Sequence, residues 1–396
     1  MSSTARPLRI GVVTLGLKEE DAGGEVNIAN GGVGVYIYQL IKHLQGLGDA
    51  TEYTLIRPGH GRLDIYRQAR TETVFLPLSP VRNALAYADL HLRRIAVERR
   101  LDLLHYPNQF GGAFLPRTVR RVVTVHDLTP LLYPRYHPWR RVLGYRVLLR
   151  PSLRAADHII VPAAATAADL VARRLAPREK ISVIPQGVDE RFRPGVCSEA
   201  VARRYDLPAR FVLTVGVLEP RKNHALLLQA IERLQRRGEP IGLVIVGRPG
   251  WHWRDPLDDP ALAHLRPWVR VLRAVPDQDL VELYNRAEAF AYPSLYEGFG
   301  LPILEAMACG VPVVASSSSA LPEVAGPAAL LADPTDADDF AAQLFAVLRG
   351  PALRHRLIAA GHERARAYSW RRTAERTLAI YQRVCPGSPP RPSAAA

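Results

Sequence analysis

Residues 297–310 read EGFGLPILEAMACG, so that Glu297 and Glu305 stand with seven residues between them. Pro302 suits the first turn of a helix, where its missing N–H costs nothing. Gly298 and Gly300 let backbone approach a ligand without side-chain obstruction. A helix beginning here aims free N–H groups at a phosphate and puts Glu305 within its first turn. A carboxylate there can accept hydrogen bonds from vicinal hydroxyls such as those of a ribose, while Glu297, ahead of the turn, reaches another part of the same ligand. The plain alternative is a Glu near a helix dipole and an exposed turn Glu.

Three further clusters bear on chemistry. VGVLEPRKN (215–223) ends a strand in Gly216 and presents Glu219, Arg221, Lys222 and Asn223. Cations at the carboxyl end of a parallel strand stand where such sheets bind ligands. Arg221 can fork onto phosphate oxygens and Lys222 supplies a mobile point charge; a solvated helix-capping loop is the alternative. NGGVGVY (30–36) offers consecutive glycines for an anion-facing nest. It lacks the G-x-G-x-x-G order and is no Walker A motif; a flexible loop is the alternative. TVHDLTPLLYP (124–134) ends an apolar strand in His126 and Asp127. The His can donate to a sugar hydroxyl and the Asp can accept from one or from the attacking group; a satisfied core histidine is the alternative.

These residues need elements to hold them. Apolar runs read as strands at 9–16, 53–58, 73–78, 103–107, 122–127 and 158–163, with helical spacing at 34–48 between the first two. The alternation resumes at 211–216, 241–247, 269–272, 289–294 and 311–316, with helices at 224–238, 277–288 and 303–310. This predicts an α/β chain with two mostly parallel, helix-covered sheets. The Pro- and Gly-punctuated stretch 181–196 reads as the passage between two domains, and 386–396 as a disordered tail.

The 396 residues exceed one ordinary core. No apolar run approaches a spanning helix, and the N-terminal apolar stretch reads as a first strand rather than a signal peptide. Three cysteines form no disulfide or metal framework, which points to a reducing cytosol. The net charge of +14 is concentrated in residues 1–185, with 26 basic against 15 acidic residues. Such a field favours anionic lipid, phosphorylated substrates or nucleic acid. No zinc finger, aromatic RNA-binding motif or isolated basic arm appears, so nucleic acid is not expected. The segment 128–156 carries Arg135, Arg140, Arg141, Arg146, Arg150 and Arg154 without an acid. It suits an anionic membrane or a lipid-linked phosphate; the alternative is a helix with its apolar side packed and its arginines in water.

Taken together, the motifs resemble the family 4 retaining glycosyltransferases over nearly the whole chain. EGFGLPILEAMACGVPVVAS looks like the family signature, VGVLEPRKN its diphosphate loop and NGGVGVYIYQL its N-terminal glycine loop. VIPQGVD (183–189) and YSWRRTAERTLAIY (368–381) complete the series. The resemblance implies the GT-B fold, two Rossmann-like domains facing across a cleft: 1–185 on the acceptor side, 186–367 binding the donor, and a helix at 368–385 crossing back. It implies Glu305 on the donor ribose, Glu297 at the transferred sugar, and Arg221 and Lys222 on the diphosphate. Gly32 faces that diphosphate, and Gly216, Gly298, Phe299, Gly300 and Leu301 complete the donor-binding set. His126 contacts the sugar, beside Asp127. No cofactor or obligatory metal is implied, and the nucleotide-sugar is a substrate. Gln186 and Val217 depart from the family's usual residues and leave donor details open. The resemblance implies retaining hexose transfer, with GDP-mannose the first donor and UDP-glucose, UDP-galactose or UDP-N-acetylglucosamine the alternatives. The acceptor is a saccharide or a polyprenyl-diphosphate-linked saccharide of polysaccharide assembly. The setting is the cytoplasm, with peripheral contact to the inner membrane. A nucleotide-sugar epimerase, a phosphorylase and a non-catalytic binding protein are the rival readings.

Overall fold

A computed structural model describes residues 6–14, 31–47, 51–58, 71–76, 84–112, 115–195 and 197–386. The expected loop before Gly31 and nearly all of the expected tail lie outside these residues. The first sheet has strands β1 (Arg9–Val13), β2 (Glu52–Pro58), β3 (Thr71–Leu76), β4 (Leu103–Tyr106), β5 (Arg120–Thr124), β6 (His158–Val161) and β7 (Ile181–Val183). Their order is β3-β2-β1-β4-β5-β6-β7, with every pairing parallel. The second sheet has β8 (Phe211–Val215), β9 (Gly242–Val246), β10 (Val269–Leu272), β11 (Ala289–Tyr292), β12 (Val313–Ser316) and β13 (Ala329–Ala332). Its order is β10-β9-β8-β11-β12-β13, again all parallel. Helices cover both faces, so central strands such as GLVIV and VVAS are buried throughout.

Each order reverses once, at β1/β4 in the first sheet and at β8/β11 in the second. At such a point neighbouring connections leave the sheet in opposite directions and open a crevice at the strands' carboxyl ends. The loop after β8 holds 216–223 and the loop after β11 holds 293–300. The helix Gly31–Gln45 follows β1, and His126 lies just beyond β5. The topology alone thus gathers the four motifs that looked unrelated in sequence.

The stretch 181–196 opens with β7, a three-residue strand that the sequence reading folded into the passage between domains. From there the chain crosses. Val188 N–H donates to Tyr368 O at 3.1 Å, and a Cβ built on Gly187 would lie 2.0 Å from the backbone nitrogen of Trp370. Two chain segments therefore pass in contact at this point. The helix Trp370–Val384 then packs on the helix Gly31–Gln45. Tyr381 Oη lies 2.6 Å from His105 Nδ1, whose Nε2 is 2.8 Å from Thr124 Oγ1, and Thr124 Oγ1 is 3.1 Å from Tyr36 Oη. This buried chain of polar groups fixes the C-terminal helix to the first sheet.

Candidate active site

Arg221 and Lys222 sit in a tight turn, Pro220–Lys222, between extended Glu219 and left-handed Asn223. The Asn223 amide donates to Pro293 O at 3.2 Å and Pro334 O at 2.7 Å, tying the turn to the loops after β11 and β13. Both cations are 8% exposed, a burial that charged groups tolerate only when paired. Lys222 Nζ donates to Glu297 Oε1 at 2.6 Å and to Tyr292 Oη at 2.7 Å. Arg221 Nη1 is 2.9 Å from the same Glu297 oxygen, and Nη2 donates to Glu219 Oε1 at 3.0 Å. Arg221 Nη1 also donates to the Tyr296 carbonyl. Burial by itself would raise the Glu297 carboxyl, but Arg221 and Lys222 outweigh it and hold the pKa at about 2. Glu297 is therefore an anion of low basicity that orients two cations. Gly216 keeps this pocket open, since a Cβ there would come within 3.2 Å of Lys222 Cε.

Glu305 is placed differently from the expectation. Gly300 takes φ +109° and caps the helix Leu301–Ala308, so Leu301 rather than Pro302 is its first residue. Glu305 falls one turn in, beyond the first four positions. Its side chain still leans back toward the helix start, as helical Cβ bonds dictate, and Tyr284 Oη donates to its Oε2 at 2.8 Å. Burial pushes its pKa up to about 7, against the pull of the Tyr284 hydroxyl and Arg191. Leu301 and Phe299 are packing residues: Leu301 belongs to the core, and the Phe299 ring meets Tyr368 edge-on at 5.9 Å.

From the first domain, His126 arrives under Gly298. A Cβ built on Gly298 would lie 1.8 Å from the His126 carbonyl oxygen. His126 Nε2 is 2.8 Å from Pro107 O and Nδ1 is 3.5 Å from Gln186 Nε2. Burial lowers its pKa, with the Pro107 carbonyl and Asp127 opposing, so the ring is neutral and its Nε2–H donates to Pro107. Gln186, a departure noted in sequence, is thus a partner of the histidine. Asp127 Oδ1 accepts from Thr129 N at 3.0 Å and Thr129 Oγ1 at 2.7 Å. Gly31, next to Gly32, lies opposite Val217 of the second domain: a Cβ built on Gly31 would stand 3.6 Å from Val217 Cγ2, and one on Gly32 would meet open space. The start of the first helix therefore borders the cation loop.

Two contacts beyond the motifs hold the domains together. Both Glu323 oxygens accept from Ala164 N, at 3.0 and 2.8 Å, so a carboxylate of the second domain caps the helix Ala164–Ala172 of the first. Tyr296 Oη donates to Asp169 of that same helix. A third residue outside every motif, His137, is 7% exposed and faces Asp127, Glu219 and Arg221. No spacing pattern marks Glu323 or His137 in the sequence. Among the described residues, no group of three His, Cys, Asp or Glu side chains converges as a metal cage.

Residues 30–192 match the family described as Glycosyltransferase Family 4, and residues 203–364 match Glycosyl transferases group 1. The chain is 34% identical to the O-antigen chain mannosyltransferase B of Escherichia coli, over 89% of this chain and 96% of that one. Among solved structures it is similar to the sucrose-phosphate synthase of Thermosynechococcus elongatus, with TM-score 0.74 and 22% identity over 96% of this chain and 100% of that one. It is also similar to Anabaena Alr3699/HepE in complex with UDP-glucose, with TM-score 0.72 and 17% identity over 95% and 100% of the two chains. At these identities the structures carry the fold.

Proposed function

The chain belongs to the glycosyltransferases, its first half matching family 4 and its second group 1, and from that premise we propose how its cleft works. It is a GT-B enzyme that moves a hexose from a nucleotide-sugar donor to a saccharide or lipid-linked acceptor. In our reading the donor diphosphate sits over Arg221 and Lys222, and the ribose hydroxyls meet Glu305. The observation that carries this is the pair of buried cations sharing one Glu297 oxygen at the switch point of the second sheet.

The chemistry follows from that placement. The bond from the sugar's anomeric carbon to the phosphate oxygen breaks, and negative charge develops on the departing phosphate. Arg221 and Lys222, preorganised by Glu219, Glu297 and Tyr292, stabilise that charge without moving. The acceptor oxygen bonds to the anomeric carbon on the same face, and its proton passes to the departing phosphate oxygen. Glu297, held at about 2, is too weak a base to take that proton. The closed contacts of Gly298 with His126 and Glu323 with Ala164 exclude water during the step.

A UDP-hexose comes first among donors. The fold relative HepE was solved with UDP-glucose, and that supports the order. GDP-mannose, placed first by the sequence reading, comes second, supported by the mannosyltransferase name of the E. coli relative. Calorimetry with UDP and GDP tests the site: either nucleotide binds the wild type and loses affinity in Lys222→Ala, whereas equal affinity in both proteins contradicts the assignment.

The acceptor reading rests on the helix Trp139–Ala155. Trp139, Leu143 and Val147 are 68%, 51% and 57% exposed. With Arg140, Arg146, Arg150 and Arg154 they span roughly a third of the helix circumference at about 3.6 residues per turn. Val142, Tyr145, Leu149 and Leu153 bury the opposite face. Trp139, Leu143 and Val147 thus share the arginines' side, beside the packed apolar face that the plain alternative also describes. Exposed apolar groups among cations suit an anionic lipid surface, which would bring a lipid-linked acceptor to the cleft. Among the described residues, no helix is long and apolar enough to cross a membrane.

A further inference from the structure

We propose that His137 belongs to the acceptor subsite and that its ring nitrogens hydrogen-bond hydroxyls of the sugar that receives the transferred hexose. This rests on the transferase reading of the same cleft. Neither Nδ1 nor Nε2 of His137 has a hydrogen-bond partner among the described residues, although the residue is 7% exposed. A buried polar group without a partner is destabilising, and here both nitrogens of one ring are in that position.

The backbone leaves the ring little freedom. The turn Pro134–Tyr136 precedes His137, its N–H donates to Pro134 O at 3.1 Å, and Pro138 caps the next helix. The same segment reaches across the cleft, with the Tyr133 ring 5.8 Å from that of Tyr296, the neighbour of Glu297. The charged groups facing the imidazole come from three directions. Asp127 stands on its own domain, Arg141 in the first turn of the helix that follows, and Glu219 and Arg221 on the opposite domain. His137 therefore lies across from the cations assigned to the diphosphate, on the wall where an acceptor must sit.

The chemistry of the ligand follows from the protonation state. Burial and Arg141 push the imidazole pKa down, more than Glu219 and Asp127 push it up. A neutral ring offers one donor and one acceptor. That pair matches sugar hydroxyls and is a poor match for phosphate, which needs donors or a cation at both positions. Asp127, whose Oδ1 is occupied by Thr129, faces the ring from the same domain.

The test uses the full chain saturated with UDP or GDP, whichever binds, and the probes D-mannose, D-glucose and D-galactose. Spectra of ¹⁵N-histidine-labelled protein follow the ring nitrogens, with His137 assigned from the signal lost in His137→Asn. We expect at least one free hexose to shift the His137 resonances. We also expect His137→Phe to weaken that hexose by roughly fivefold to tenfold, the worth of about one hydrogen bond, with nucleotide affinity unchanged. Unshifted resonances with all three hexoses overturn the proposal, whether or not the Phe variant folds. A shift with nucleotide-sugar but with no free hexose overturns the acceptor assignment and gives the residue to the donor sugar. Loss of nucleotide binding in the wild type is a separate failure, that of the transferase reading itself.

Discussion

Gly298 and His126, 172 positions apart in the chain, touch so closely that a single methyl group on the glycine would stand 1.8 Å from the histidine's carbonyl oxygen. Neither partner is a flexible side-chain end, so an added methyl must move one domain against the other. Gly298→Ala should leave both sheets folded while opening the cleft. We expect a larger radius of gyration by small-angle scattering and a loss of roughly a hundredfold in kcat/KM, the scale of an ångström's misplacement. Unchanged activity with an unchanged scattering profile would mean that the contact does not set the closed state.

Much of this architecture was legible in the sequence, for a physical reason. Strands buried on both faces are apolar at nearly every position, so FVLTV, GLVIV and AFAY announce themselves. The strand Ile181–Val183 was missed because three residues carry too little pattern, and Ala329–Ala332 because ALLA is built of strong helix formers. Glu297, Arg221 and Lys222 were legible as charges at strand ends, but their sharing of one oxygen was not. Glu305 stands at the fifth helical residue, just past the first turn, because the helix begins at Leu301, directly after left-handed Gly300. His137 carries no local signal: its surroundings come from two domains. Glu323 meets Ala164 across 159 positions, a pairing that no periodicity encodes.

Removing either buried cation should cost catalysis far more than stability. Arg221→Ala and Lys222→Ala should each lower kcat/KM by about 2–4 kcal/mol, or roughly thirtyfold to a thousandfold. The loss should appear chiefly in kcat, because the charge they meet grows in the transition state. Steady-state kinetics of folded variants with intact turnover would refute the charge role. With the charge supplied by side chains, EDTA should leave wild-type turnover unchanged, and a strict requirement for added divalent ion would count against the account.

Glu305 links the site to pH. Its folded pKa of about 7 exceeds the ordinary 4.5, so the fold favours its neutral form. Stability contributed by this group should therefore be lost as pH rises from about 4.5 to 7 and stay flat above. Glu305→Gln should melt higher than wild type at pH 8 and at a similar temperature at pH 4. Donor affinity should run the other way, since the ionised carboxylate is the better acceptor for ribose hydroxyls. Calorimetric titrations should show tighter binding as pH passes 7, and this dependence should vanish in Glu305→Gln. A melting difference independent of pH would show that the carboxyl titrates normally.

The exposed face of the arginine-rich helix should bind anionic vesicles. Flotation with phosphatidylglycerol vesicles should carry the chain at low salt and less of it at moderate salt. Trp139→Ala with Leu143→Ala should weaken binding at both salt levels, and Arg146→Glu with Arg150→Glu should abolish it. Wild-type protein that stays at the bottom of the gradient at low salt would remove the membrane from the account while leaving the transfer chemistry intact.

The central claim is that the Arg221–Lys222–Glu297 cluster holds a nucleotide-sugar diphosphate and promotes loss of the hexose. The most direct measurement incubates the protein with UDP-glucose, UDP-galactose, UDP-N-acetylglucosamine or GDP-mannose, each with octyl glucoside or octyl mannoside present. Release of nucleoside diphosphate and the mass of the glycoside are followed together. The account predicts release from at least one donor, a matching gain of one hexosyl or N-acetylhexosaminyl unit by a glycoside, and loss of both in Lys222→Ala. No release from any of the four donors, or release undiminished in Lys222→Ala, would contradict it.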